Sequence, residues 1–139
     1  MKLNKDCVRD ILIYIEEKSV YEEIGMGKKR LHIVSFDELC KSDCVDYGND
    51  IINYAIEKME EHNLIKFNSN KNHSSIDRSF INYHISEITN KGHEFLDNVK
   101  NPEHWNKVKA AIENAGINDC SLNMYFDYIY NETQKSLNS

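Results

Sequence analysis

Apolar residues recur at intervals of three and four along most of the chain and alternate at two in few places, so the sequence reads as helical with a small sheet. Cys7, Val8, Ile11, Leu12 and Ile15 form one stripe and predict a helix from Lys5 to Lys18, with Asn4 as its N-cap. Arg9, Asp10, Glu16 and Glu17 fall on the side expected to face water. Glu22 to Arg30 reads as a connection, in which Gly25 and Gly27 bracket Met26. Leu31, Ile33 and Val34 read as a short strand. Ser35 is placed to cap a brief helix, Phe36 to Lys41, with Asp37 and Glu38 in the first turn, where the helix dipole favours acids. Ser42 to Gly48 makes a turn. Ile52, Ala55, Ile56 and Met59 then mark the buried side of a helix over Asn49 to His62, ended by Asn63, a residue that tolerates the left-handed conformation.

Beyond this helix the pattern changes. Leu64-Ile65-Lys66-Phe67 reads as a strand, Asn68 to Ser79 as a polar loop with one apolar residue, Ile76. Ile81, Tyr83 and Ile85 alternate with Asn82, His84 and Ser86 as a second strand. Thr89 starts a helix to about Val99 that carries Gly92, Phe95 and Leu96. Asn101 and Pro102 open another, Pro102 to Asn114, with Trp105, Val108 and Ile112 inward and Gly116 as its stop. A last helix spans Ser121 to about Ser136. Leu122, Tyr125, Phe126 and Ile129 line one side of it, and Met124 and Tyr128 add apolar surface on another. That is more than a helix packed on one side requires. Met124, Tyr125 and Tyr128 are therefore candidates for a homodimer interface; the alternative is a helix lying in a groove between the first helix and the Trp105 helix.

Helix, strand, polar loop, strand, helix is the order of elements around the wing of a winged helix. The expected fold is α+β and mostly helical: a winged helix-turn-helix domain with a small antiparallel sheet over residues 1–100, and C-terminal helices, 101–139, packed on it as one compact unit.

Composition narrows the class. The 139 residues are 40% hydrophobic and 29% charged, with one proline and five glycines, which suits one globular domain without a low-complexity linker. No apolar run approaches the roughly 20 residues of a membrane-spanning helix. The N-terminus is amphipathic rather than a signal peptide, and the expected location is cytoplasmic. Cys7, Cys40, Cys44 and Cys120 are scattered and form no dense disulfide framework. Cys40 and Cys44 have the spacing of a metal pair, but without a second tight pair they read as buried free thiols, and no metal is expected.

Ile88-Thr89-Asn90-Lys91-Gly92-His93-Glu94-Phe95-Leu96 follows a pattern that often closes the wing in bacterial winged-helix proteins: Ile or Leu, Thr, two residues, Gly, three residues, Ile or Leu. The threonine can cap the helix, the glycine allows close approach to the wing, and Ile88 and Leu96 can bury. With MKLNKDCVRDILIYIEE at the start, Asn63-Leu64-Ile65, and Trp105-Asn106-Lys107-Val108-Lys109, the chain resembles, from about residue 1 to 135, an uncharacterised family of small winged-helix proteins of Firmicutes and their phages. The resemblance implies the fold and a phage or mobile-element setting. It implies no activity.

The chain lacks a Gly-rich phosphate loop, a Gly-x-Ser-x-Gly elbow and a His-Glu-x-x-His helix, and its six histidines are spread over different elements. No enzyme and no cofactor are expected. As a helix-turn-helix, Asn49 to His62 would enter the major groove, with Asn49 and Asn53 able to read adenine edges and Lys58 near phosphate. Yet Asp50, Glu57, Glu60 and Glu61 oppose Lys58 alone, a local balance of −3, within a chain of net charge −6. The wing, with Lys71 and Arg78, and the Lys28-Lys29-Arg30 cluster are better charged for phosphate. The expected function is a small DNA-binding transcriptional regulator, dimeric through the last helix. The alternative is a winged helix that binds a host protein, as a phage-encoded inhibitor or adaptor.

Overall fold

The computed structural model describes residues 3–67 and 84–114. The elements run α1 (Lys5–Lys18), β1 (Tyr21–Gly25), β2 (Lys28–Leu31), β3 (Val34–Ser35), α2 (Phe36–Lys41), α3 (Asn49–Glu61), β4 (Ile65–Phe67), β5 (His84–Ile88), α4 (Asn90–Val99) and α5 (Pro102–Asn114). The architecture is α+β and mostly helical, with two small antiparallel sheets. One sheet is the β1–β2 pair; the other has three strands in the order β3-β5-β4.

The helices form where the apolar spacing places them. The α1 stripe of Val8, Ile11, Leu12 and Ile15 is buried, and Asn4 accepts a hydrogen bond from the Cys7 amide at 3.0 Å. The expected wet side of α1 is less wet than the pattern implies. Arg9 sends Nε to the Val99 carbonyl at 2.7 Å and Nη2 to the Lys100 carbonyl at 2.8 Å, and its side chain is only 15% exposed. It thereby satisfies carbonyls that the end of α4 leaves without helical partners. Asp10 accepts from the Tyr47 hydroxyl at 2.7 Å, which fixes the α2–α3 turn to α1, and Lys100 pairs with Glu16.

Ser35 accepts from the Glu38 amide at 3.1 Å and starts α2 as its sequence position requires. At the end of α3, Asn63 adopts φ 61°. The Leu64 amide then bonds back to the Met59 carbonyl at 2.9 Å and the Asn63 amide to Glu60 at 3.0 Å. This paired reversal is the Schellman geometry that ends a helix and redirects the chain.

The reversal delivers the chain to β4, which pairs with β5 through Ile65↔Ile88 and Lys66↔Glu87; β3 joins the other side of β5 through Val34↔Ile85 and Ser35↔His84. The strand expected over 64–67 begins one residue later, because Leu64 is consumed by the helix end. Of the alternating run at 80–86, only the part from His84 onward lies within the described residues.

Thr89 is the junction. Its hydroxyl accepts from the Gly92 amide at 3.1 Å and donates to the Asn63 carbonyl, while its own amide donates to the Leu64 carbonyl at 3.0 Å. Gly92 is buried there. A Cβ on it would lie 2.6 Å from Ile88 Cγ2 and closer still to the Leu64 carbonyl oxygen.

The region before β3 corrects the sequence reading. Glu22 to Arg30 is not a plain connection but most of a β-hairpin, with Tyr21 opposite Leu31, Glu22 opposite Arg30 and Glu23 opposite Lys29. Leu31 belongs to that hairpin, and the strand of the main sheet is only Val34–Ser35. Every residue of β1 and β2 except Glu22 and Leu31 is exposed, so no face had to be apolar and no period of two marked the strands.

α5 is fixed by Asn101, which accepts from the Glu103 and His104 amides, and by Trp105, whose Nε1 donates to Asp6 at 2.7 Å. Lys109 Nζ reaches the same Asp6 oxygen at 2.8 Å. Met124, Tyr125 and Tyr128, the expected dimer surface, lie outside the described residues.

Gly92→Ala forces a methyl into the Leu64 backbone and is expected to cost about 2–3 kcal/mol or more, read from the urea midpoint. For Asp6, burial raises the carboxyl's pKa but is outweighed by the Lys109 and Trp105 hydrogen bonds and by the charges of Lys109 and Arg9, so it lies below the ordinary value of 3.8. A lowered folded value means its stabilisation is complete above the unfolded value and is lost as pH falls through the folded one. The urea midpoint of the wild type is therefore expected to fall more steeply below about pH 4 than that of Asp6→Asn.

Candidate functional site

The richest cluster of polar side chains is built where the hairpin meets the body. His32 follows β2, and its amide continues the ladder to the Val20 carbonyl at 2.9 Å. Its Nδ1 lies 3.3 Å from Glu22 Oε2 on β1 and its Nε2 3.0 Å from Glu38 Oε1 on α2. Glu38 Oε2 in turn accepts from the Tyr14 hydroxyl of α1 at 2.7 Å. Burial and then the neighbouring Glu38 push the Tyr14 phenol up to about 12, so it remains the donor of this bond. The imidazole thus bridges two carboxylates from two elements, and the chain continues to a third. Ionised carboxylates only accept, so both ring contacts are hydrogen bonds when both ring nitrogens carry protons.

Beside the bridge is a cleft of about 410 Å³ lined by Glu22, Arg30, His32, Ile33, Ser35 and His84. It brings the hairpin to the His84 end of β5. Arg30 is paired with Glu22 at 3.4 Å. Lys28 and Lys29 are exposed, and neither forms an ion pair among the described residues. The three basic residues singled out from the sequence therefore differ: Arg30 is partly neutralised, and the two lysines remain available.

The helix expected to read DNA, α3, exposes Asn49 and Asp50 at its first turn and holds Asn53, Tyr54, Glu57 and Lys58 half-buried. Lys58 is held by Glu61 at 3.1 Å and stands over the Tyr54 ring at 5.4 Å. Lys41 of α2 is held by Asp37 at 2.9 Å. Residues 37 to 61 carry eight carboxylates and two lysines, and both lysines are in these pairs. Asn49 and Asn53 are thus brought together on an acidic surface. Lys71 and Arg78 lie outside the described residues.

The cysteines are not uniformly interior. Cys7 is buried, Cys40 half-buried and Cys44 exposed, which corrects the reading of Cys40 and Cys44 as a buried pair. Burial, with the charges of Asp10 and Cys40, pushes the Cys7 thiol up to about 12, so it packs as a neutral apolar group. Among the described residues no three His, Cys, Asp or Glu side chains cluster as a metal site, and no helix is long and apolar enough to cross a membrane.

The sequence reading missed the His32 bridge, whose partners lie ten residues before it and six after. The signal in the chain was the opposed charge of Glu22-Glu23 and Lys29-Arg30 about a Gly-x-Gly turn, which suits cross-strand pairing. His32→Ala is expected to unlatch the hairpin: trypsin cleavage after Lys28 and Lys29 accelerates several-fold, while the urea midpoint changes by less than about 1 kcal/mol.

No curated protein and no solved structure matches the chain. A family model described as "Hypothetical protein (DUF2513)" matches residues 2–118. The match takes in every element from α1 to α5, including the hairpin and its histidine bridge. The chain belongs to the DUF2513 family.

Proposed function

We propose that the chain is a small, non-enzymatic winged-helix protein that binds duplex DNA as a transcriptional regulator, and that it grips the duplex by its basic edge rather than by α3. The observation that carries this reading is the three-stranded order β3-β5-β4 in a chain that runs α1-β3-α2-α3-β4-β5 once the β1–β2 hairpin inserted between α1 and β3 is set aside. In a winged helix the same order sets a helix-turn-helix beside a β-loop-β wing. By chain order the β4–β5 connection, which carries Lys71 and Arg78, corresponds to the wing of such a fold, and Lys28 and Lys29 belong to the β1–β2 hairpin. The acidic α2–α3 surface makes deep entry of α3 into a groove unfavourable, since it would meet phosphates on both sides. The phage or mobile-element setting rests on the sequence resemblance alone.

A second reading, a winged helix that binds a protein, is favoured by that same surface. Eight carboxylates over residues 37 to 61, with both lysines already paired, suit a basic partner better than a polyanion.

Fluorescence anisotropy with a mixed-sequence duplex across a salt series separates the two. The DNA reading expects binding at low salt with a slope corresponding to about three to five phosphates, and a slope lower by about two in Lys28→Ala with Lys29→Ala. The protein-binding reading expects no duplex affinity at low salt, and binding to a polylysine probe that weakens in Asp50→Asn with Glu57→Gln.

A further inference from the structure

The four large hydrophobic residues that are exposed among the described residues all belong to one seven-residue stretch: Val20 (59%), Tyr21 (72%), Ile24 (52%) and Met26 (100%). The stretch is the outgoing arm and tip of the β1–β2 hairpin. Its return arm carries Lys28 and Lys29. At the tip, Gly25, Met26 and Gly27 all have positive φ, at 113°, 52° and 73°. For methionine that conformation is uncommon. A Cβ on either glycine would meet nothing within 4 Å, so the glycines serve the backbone turn and not a packing contact. The turn holds a fully exposed thioether away from the body, beside two lysines that form no ion pair among the described residues.

The charge pattern limits what can cover this ribbon. Antiparallel pairing of β1 with β1 of a second copy sets Glu22 and Glu23 against each other; pairing β2 with β2 opposes Lys28, Lys29 and Arg30. A lipid surface takes a loop with its apolar residues gathered at the tip. Here Val20 and Tyr21 are at the foot and Ile24 and Met26 at the tip, with Val20 and Ile24 about 13 Å apart at ~3.3 Å per residue. A partner must therefore offer a groove that takes an apolar tip between anionic borders. Lys29 has Glu23 across the ribbon, but Lys28 stands opposite Gly25 and is unopposed. Glu22 is engaged by Arg30 and His32, which occupies one of the two carboxylates of β1. The ribbon also rises beside the start of β5, since Arg30 and His84 line one cleft.

We propose that the β1–β2 hairpin is a second DNA-contacting arm, whose tip enters the minor groove with Met26 wedged at a base step and Lys28 and Lys29 on the flanking phosphates. The inference rests on the DNA-binding reading above and adds a bend to it. Apolar side chains, methionine among them, act as such wedges and kink the duplex. The acidic α3 surface explains why an arm outside the helix-turn-helix would be needed.

The test uses the full chain and an end-labelled duplex with a central A/T tract, reading anisotropy for binding and energy transfer between the ends for bending. The wild type is expected to bind and to raise the transfer. Met26→Ala is expected to bind within about threefold and to lose most of the rise, and netropsin, a minor-groove ligand, to displace the wild type. Circular dichroism confirms that this exposed substitution leaves the fold intact. Unchanged bending in Met26→Ala, or binding indifferent to netropsin, overturns the arm while leaving DNA binding standing. Absence of duplex binding by the wild type overturns both. Met26-dependent binding to phosphatidylserine vesicles without duplex binding reassigns the hairpin to a lipid surface and likewise overturns the proposal.

Discussion

The structure depends on the contact of Thr89 and Gly92 with the chain at Asn63 and Leu64. Four groups meet there: a helix end, two strand starts or ends and a helix start. The threonine hydroxyl both donates to Asn63 and accepts from Gly92, so a single side chain closes two elements that are distant in sequence. The Leu64 carbonyl accepts from the Thr89 amide. Only a residue without a Cβ fits at position 92, because the helix rests directly on the backbone. From this point α3 leads outward on one side and the β4–β5 pair on the other. The angle between α3 and the β4–β5 pair is therefore set by backbone geometry rather than by surface side chains.

A second constraint is the use of polar side chains as long-range ties. Asp6 gathers Trp105 and Lys109, Asp10 holds Tyr47, and Arg9 closes the end of α4. All three anchors lie within one turn and a half of α1. Their partners come from α5, from the α2–α3 turn and from α4. The apolar face of α1 fills the core, and its polar face aligns the surrounding elements. Every one of these ties uses an ionised group with a fixed partner, which orients more sharply than apolar packing does.

The helices were legible because their signals are local. Asn4, Ser35 and Thr89 announce helix starts within three residues of the amides they accept from, and Asn63 announces an end through its own backbone preference. Phe36–Lys41 and Pro102–Asn114 fall where caps and apolar spacing put them. The hairpin was not legible, since strands exposed on both faces need no alternation. Arg9 misleads for the opposite reason: a long basic side chain in a polar position looks free until the chain brings carbonyls from ninety residues away. The candidate site was visible only as a basic triplet. Its acidic neighbours and the histidine that bridges them come together through turns, not through spacing on one element. The acidic character of α3 was plain in the sequence; that its single lysine is also occupied needed coordinates.

The Arg9 clasp has a consequence for how the chain is made. Carbonyls of residues 99 and 100 complete the surroundings of a helix made some ninety residues earlier. Until α4 has emerged, α1 carries a cation without its acceptors and an apolar stripe without part of its cover. α1 must therefore wait for α4 before its native docking is complete. A polypeptide stopped short of residue 100 would leave part of that stripe open to chaperones or to other nascent chains.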